Sequence, residues 1–396
     1  MLFIENLEVR GKMVFCRVDF NVPLDERGAI RNDTRIRASL PTIRFLLDGG
    51  SKLVLCSHLG RPKGKPDSKL SLRPAAVRLA ELLGRDVLFA PDCIGPDVDS
   101  LKSGLRDGQA LLLENVRFYN EETKNDPGFA RKLAAGIDIY VNDAFGSSHR
   151  AHASVVGITA FVPLCAAGCL MKTEVDYLRK AVVSPAKPYV AILGGAKVED
   201  KIPVIENLLR LADHILIGGA MAYTFLKAKG FEVGRSLVEP DKLEIAGKIM
   251  ADAEAKGVAL HLPIDHVLAA SIESETAAAV VDTYPFPADL MGVDIGPKTV
   301  AEFSGIIALA KTIVWNGPLG VFETPAFAVG TVKIAEAVAA SGAMSIIGGG
   351  DSIAAVEKAG VGSKISHIST GGGASLEFLS FNTLPGIDAL EKGDHA

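Results

Sequence analysis

"KLVLCSHLGRPKG", residues 52–64, joins two kinds of sequence. Its first part is apolar without alternation, the pattern of a strand buried on both faces, and such strands belong to parallel sheets covered by helices on either side. Its second part delivers His58, Arg61 and Lys63 around Gly60. Parallel sheets of this kind bind ligands beyond the carboxyl ends of their strands. A strand that ends in polar residues is also ordinary loop chemistry, so the reading depends on how the other strands end.

The same pattern recurs along the chain. Strand-like runs fall at residues 13–20, 52–58, 87–90, 110–116 and 139–144, with helical spacing over 33–47, where Asn32, Asp33 or Thr34 can cap, and over 72–83. A second series follows at 189–193, 214–217, 259–262, 312–315, 344–347 and 365–369. Strand alternating with helix predicts an α/β chain of two doubly wound, Rossmann-like domains, each a parallel sheet flanked by helices. The expected division is 1–169 and 185–379, joined by a helix at 170–184 that Pro185 and Pro188 end, with a cleft between the domains.

The two series end differently. In the first, the positions after the strands are Arg17, Asp19 and Asn21; His58 and Arg61; Glu114 and Arg117; and Asn142, Asp143, His149 and Arg150. In the second they read "GGAK" (194–197), "GGAM" (218–221), "NGPLG" (316–320), "GGGD" (348–351) and "GGGA" (371–374). Glycine at a strand-to-helix turn lets a phosphate approach the backbone, and the helix start offers unpaired N–H groups. Charge follows the same division. Residues 1–170 hold 23 Lys+Arg against 20 Asp+Glu and 15 of the 18 arginines, while residues 171–396 hold 19 against 27. Arginine suits bidentate recognition of phosphate and carboxylate, so the first domain is expected to hold a small anion and the second a nucleotide.

Several classes are disfavoured. A net charge of −5 gives no support to a nucleic-acid surface, and no apolar run of about 20 residues suggests a membrane span. With no secretory pattern at Met1, the expected compartment is the cytoplasm. Cys16, Cys56, Cys93, Cys165 and Cys169 lack paired spacing and read as buried thiols. His149 and His152 have HxxH spacing but no accompanying glutamate, which makes a poor metal site. No P-loop motif and no dinucleotide fingerprint occurs.

"RVDFNVP" (17–23), "NDTRIRASLPTI" (32–43), "SHLGRPKG" (57–64), "LLENVRF" (112–118), "VNDAFGSSHRAHAS" (141–154), "LGGAKVEDKI" (193–202), "GGAMAYTFL" (218–226), "DIGPKT" (294–299), "WNGPLGVFE" (315–323), "GGGDS" (348–352) and "STGGGASLEFL" (369–379) resemble the signature segments of the phosphoglycerate kinase family, in order along nearly the whole chain. "GCLMKTEV" (168–175) and "SFNTLPGI" (380–387) are looser versions of the family's interdomain helix and late hinge. The resemblance implies reversible transfer of a phosphoryl group from 1,3-bisphosphoglycerate to MgADP, giving 3-phosphoglycerate and MgATP. It implies Asp19, Asn21, Arg35, His58, Arg61, Arg117 and Arg150 for phosphoglycerate. It implies Lys197, Lys201, Gly218, Gly219, Asn316, Pro318, Glu323, Gly349, Gly350, Asp351 and Ser352 for ATP or ADP, with Asp351 on Mg²⁺ and Gly372 and Gly373 near the transferred group. It also implies a tail at about 380–396 that packs on the first domain, and hinge closure. The expected partners are these small molecules alone, bound by a monomer.

The residues suit that chemistry. A carboxylate nucleophile with a pKa of about 4 is ionised at neutral pH, so no general base is required. Arg35 and Lys197 are the expected catalytic cations and Asp351 the expected Mg²⁺ contact, a position equally suited to a helix cap. Lys63 and Lys65 read as solvated lysines. The competing readings are a nicotinamide-dependent oxidoreductase and a hinged binding protein for a phosphorylated metabolite.

Overall fold

The computed structural model describes residues 1–282 and 286–392. The chain forms two units, one made of Met1–Asp176 with the tail that begins at Thr383, the other of Tyr177–Asn382. Their boundary falls inside the helix Cys169–Val182. Residues 393–396 of the expected tail lie outside the described residues. Among those described, no helix is long and apolar enough to cross a membrane.

The first unit contains a six-stranded parallel sheet of β1 (Met13–Arg17), β2 (Lys52–Cys56), β3 (Val87–Phe89), β4 (Ala110–Leu112), β5 (Ile139–Asn142) and β6 (Leu164–Ala167), in the order β3-β4-β2-β1-β5-β6. β1, β2 and β5 are buried at nearly every position because helices cover both faces, as their unalternating apolar sequence requires. Ile36 and Ile43 of the helix Thr34–Asp48 and Leu79 of the helix Arg73–Leu83 close one core with Val14, Leu53 and Leu55.

The second unit has its own six-stranded parallel sheet: β7 (Tyr189–Leu193), β8 (His214–Ile217), β9 (Ala259–His261), β13 (Thr312–Asn316), β14 (Met344–Gly348) and β15 (His367–Ile368), ordered β15-β14-β13-β7-β8-β9. The order reverses between β7 and β13, which makes the ends of these two strands the switch point where a ligand crevice forms. A separate antiparallel sheet of β10 (His266–Ala269), β11 (Ala279–Val281) and β12 (Met291–Ile295) was not anticipated, nor was β6.

Several strands stop earlier than their apolar runs suggest. β1 ends at Arg17 and not at residue 20, β2 at Cys56, β4 at Leu112 and β5 at Asn142. Hydrogen bonds such as Val18 N to Cys56 O (3.0 Å) and Asp143 N to Arg17 O (2.8 Å) carry the chain just past the ladder before it turns into the crest. At the helix Thr34–Asp48 the capping expectation is met in part. Asn32 Oδ1 accepts from Thr34 N at 2.8 Å, while the Asp33 side chain makes no cap because Arg37 and Arg78 occupy its carboxylate.

Candidate active site

The crest of the first unit is organised around Arg17, the last residue of β1 and fully buried. Its Nε donates to Ser154 Oγ (2.8 Å), its Nη1 to the Val18 carbonyl and its Nη2 to His58 Nδ1 (3.1 Å). Ser154 in turn donates from Oγ and N to the two oxygens of Glu122, at 2.6 and 2.9 Å. A buried guanidinium and a buried carboxylate thus compensate one another through one hydroxyl.

Around this pair the loops brace each other. Arg35 Nη1 reaches Asp19 Oδ1 (3.3 Å) and the Asn21 carbonyl (3.0 Å), and Asn21 Oδ1 accepts from Gly60 N (2.9 Å). Arg117 Nη1 donates to Gly60 O (2.9 Å). Gly60 has φ +63, and a Cβ there would meet the Leu70 side chain at 2.8 Å, so a substitution would strain this turn. Arg61, Arg117 and Arg150 line a cavity of about 380 Å³ with Lys63, Asn120 and His152; Lys65 stays outside it, exposed.

The local field is strongly positive, and the histidines respond. Burial, then the charges of Arg17, Arg117 and Arg35, hold His58 well below its ordinary pKa. Burial followed by Arg117, Arg17 and Arg150 takes His152 to about 3, and burial followed by Arg150 lowers His149. Burial followed by Arg17 and Arg150 brings Arg117 to about 10, which leaves it charged at neutral pH. The arrangement is a set of fixed cations with neutral imidazoles whose lowered pKa values make them weak bases.

In the second unit the switch point is built from backbone in close contact. A Cβ at Gly194 would lie 2.1 Å from Pro318 O, and one at Gly317 would lie 2.2 Å from Gly194 O. The turns after β7, β13 and β14 line a cavity of about 340 Å³ with Lys197, Lys201, Asn316, Pro318, Gly349, Gly350, Asp351 and Ser352. Lys201 donates to Asn316 Oδ1, and Asn316 Nδ2 donates to Gly348 O at 2.9 Å, which fixes the amide. Burial lowers the pKa of Lys201, against the opposing charges of Asp200 and Asp351. Ser352 Oγ accepts from Gly317 N (2.6 Å). Gly349, with φ +94, is the N-cap of the helix Gly350–Lys358, whose start offers backbone N–H groups without intrahelical partners beside the cavity that Gly349, Gly350 and Asp351 line.

A family model for phosphoglycerate kinase matches residues 4–381. The chain belongs to the phosphoglycerate kinase family. It is 59% identical over 397 residues to the phosphoglycerate kinase of Koribacter versatilis, covering 98% of each chain. Its fold matches the structure of phosphoglycerate kinase from Coxiella burnetii with a TM-score of 0.91, 42% identity and 99% of both chains covered. That from Pyrococcus horikoshii matches with a TM-score of 0.87, 36% identity and 100% and 99% covered. The chain is therefore a carboxyl-acceptor phosphotransferase that moves a phosphoryl group between 1,3-bisphosphoglycerate and ADP. The oxidoreductase and binding-protein readings fall with that assignment.

In this member of the family, the expected nucleotide residues do not all meet in one place. Gly218 and Gly219 pack beneath the cavity, where Gly219 N donates to Leu319 O (3.0 Å). Glu323 is exposed and engages only its carbonyl, with Lys358. Gly372, with φ +54, caps a different helix, Gly373–Phe381, after β15. In the first unit, Asp19 holds Arg35, and His58 is only 4% exposed. The sequence places Arg17 on the crest without a role and His152 only in a poor metal pair, and it does not mark Glu122 or Ser154 as part of the site. The one available signal was Arg17 itself, an arginine closing an apolar strand, since a buried cation demands a buried anion somewhere.

Asp351 fits a magnesium contact on its own chemistry. Its carboxylate is exposed in the first turn of its helix and makes no salt bridge or hydrogen bond among the described residues. No group of three or more His, Cys, Asp or Glu suited to a metal exists among those residues. Magnesium that binds with substrate phosphates needs only one or two protein carboxylates.

Proposed function

We propose that the two crests divide the reaction between them. Arg61, Arg117 and Arg150, with His58, take the phosphate and carboxylate of phosphoglycerate, while Asp19 and Asn21 orient Arg35. Lys197, Lys201 and Asn316 take the nucleotide phosphates, Gly349, Gly350 and Ser352 supply the turn they rest on, and Gly372 and Gly373 offer a helix start to the phosphoryl group in transfer. Asp351 would hold Mg²⁺, which when bound neutralises nucleotide phosphate charge.

The attacking group is a carboxylate in one direction and a phosphate oxygen in the other, both already ionised, so the protein aligns and neutralises and does not move a proton. Arg35 from the first unit and Lys197 from the second are the cations assigned to the equatorial oxygens of the transferring group. Their joint action requires closure, which also keeps water from the acyl phosphate. We further propose a monomer working in the cytoplasm.

The observation that carries this reading is the contrast between the crests: guanidinium groups around neutral histidines in one unit, and a lysine-lined glycine cavity at a sheet switch point in the other. The test is 3-phosphoglycerate-dependent consumption of MgATP, coupled to glyceraldehyde-3-phosphate dehydrogenase and read as NADH loss. Activity that requires Mg²⁺ and is lost in Arg35→Ala and Lys197→Ala is expected. Normal turnover in either variant would remove that residue from the mechanism.

A further inference from the structure

The substrate crest explains only part of the arginine excess. Of the 15 arginines before residue 171, Arg17, Arg35, Arg61, Arg117 and Arg150 belong to it. Five more, Arg27, Arg31, Arg37, Arg73 and Arg78, line a single groove of about 1210 Å³ in the same unit. The first turn of the helix Thr34–Asp48 serves both places. Arg35 reaches Asp19 and Asn21, while Thr34 and Arg37 line the groove.

The groove is built and undercompensated. Asp33 holds Arg37 (2.8 Å) and Arg78 (2.9 Å), and Arg78 also meets Glu81 (2.5 Å). Those two carboxylates are the only acidic side chains among its lining residues. Arg27, Arg31 and Arg73 have no carboxylate partner among the described residues. The loop that carries Arg27 is set by Asp25, whose Oδ1 accepts from Arg27 N and Ala29 N at 2.8 Å each. Arg73 rests its guanidinium 4.7 Å from the centroid of the Phe89 ring. Cation–π stacking of this kind uses the face of the guanidinium and leaves its N–H edge for another acceptor.

The chemistry selects the ligand. All five basic side chains are arginines and none is lysine, which suits bidentate contact with oxyanions over diffuse positive potential. Three uncompensated guanidinium groups spread along one groove call for several oxyanions in one molecule. We propose that this groove binds a linear polyphosphate anion at a site separate from the one that carries the reaction.

The test is equilibrium dialysis of inorganic triphosphate against the full chain at low salt, with 3-phosphoglycerate and MgADP at saturation so that the reaction sites are filled and no turnover occurs. One equivalent of triphosphate is expected to bind, more tightly than inorganic phosphate. Arg31→Ala/Arg73→Ala should weaken it at least tenfold and leave kcat and KM without triphosphate unchanged. Arg27→Glu, on an exposed loop, gives the same reading without touching a helix. The proposal is overturned if no triphosphate binds under these conditions, if phosphate binds equally well, if all these variants retain full binding, or if Arg61→Ala removes it instead. None of these outcomes bears on the kinase assay, so the two assignments fail independently.

Discussion

Arg17 donates through Nη2 to Nδ1 of His58 across 3.1 Å, and both side chains are buried. Since an arginine only donates, Nδ1 must accept, and the His58 proton is confined to Nε2. His58 is therefore a fixed neutral donor in a cationic site. Nitrogen-15 NMR at pH 6 should find it neutral and protonated on Nε2. An imidazolium titrating near pH 6.5 would contradict the assignment.

Glu122 is the anion that makes Arg17 tolerable. It has no exposure and reaches Arg17 only through Ser154. Glu122→Gln keeps the shape but leaves Arg17 buried without a countercharge, a change that costs about 3–5 kcal/mol when one partner of a buried pair is lost. Urea unfolding should show a loss of that order. The KM for 3-phosphoglycerate should also rise about tenfold (about 1.4 kcal/mol) as His58 loses its anchor. A stable variant with an unchanged KM would show that the network positions nothing.

Arg35 and Lys197 make a sharper kinetic claim. Arg35→Ala should lower kcat at least a hundredfold, the scale of losing one donor to a developing charge, while the KM for ADP stays within twofold. Lys197→Ala should likewise lower kcat. A rise in KM alone for either would make it a binding residue only.

The crest was legible in the sequence because it depends on strand ends, and apolar runs mark those ends. β7 and β8 begin and end where their runs do. Asn316 ends β13, and Lys197 and Asp351 follow β7 and β14 within one turn, so their place on the crest follows from position, while their roles come from the family resemblance. Glu122 could not be found this way. It sits in "YNEETKND" (119–126), which reads as a solvated run, and its buried carboxylate is paired by Ser154, 32 residues later, a long-range contact that local sequence does not mark. The antiparallel sheet escaped for a related reason. β10 and β11 are short and separated by the polar stretch "SIESET" (271–276), so neither periodicity nor a tight-turn signal identified a hairpin.

Glycines on the second crest divide into those that fit and those that merely allow. Gly194 has Pro318 O where a Cβ would go, at 2.1 Å, whereas Gly350 has nothing within 4 Å. Gly194→Ala should destabilise the protein by about 2 kcal/mol or more and weaken ATP binding, because β7 and the turn after β13 must separate. Gly350→Ala should unfold at the wild-type denaturant midpoint. Equal stabilities would show that the switch point can yield.

Asp143 gives the chain a pH dependence of defined sign. It follows β5, and its Oδ1 accepts from Leu170 N (2.9 Å) and Met171 N (3.2 Å), at the start of the helix that carries the unit boundary. Its Oδ2 is buried without a partner. Burial, opposed by Thr42 and these two N–H groups, raises its pKa to about 7. The folded state thus binds a proton that the unfolded chain releases near pH 4. The resulting stabilisation is complete below that pH and is lost as pH rises through about 7. Between pH 5 and pH 8 the wild type should lose about 2–3 kcal/mol from this source, at roughly 1.4 kcal/mol for each pH unit between 5 and 7. Asp143→Asn, which does not titrate, should lack that decline. Comparing the two by urea unfolding at both pH values isolates the effect, because the neutral histidines contribute equally to each. Parallel profiles would mean that the carboxyl is ionised in its buried site.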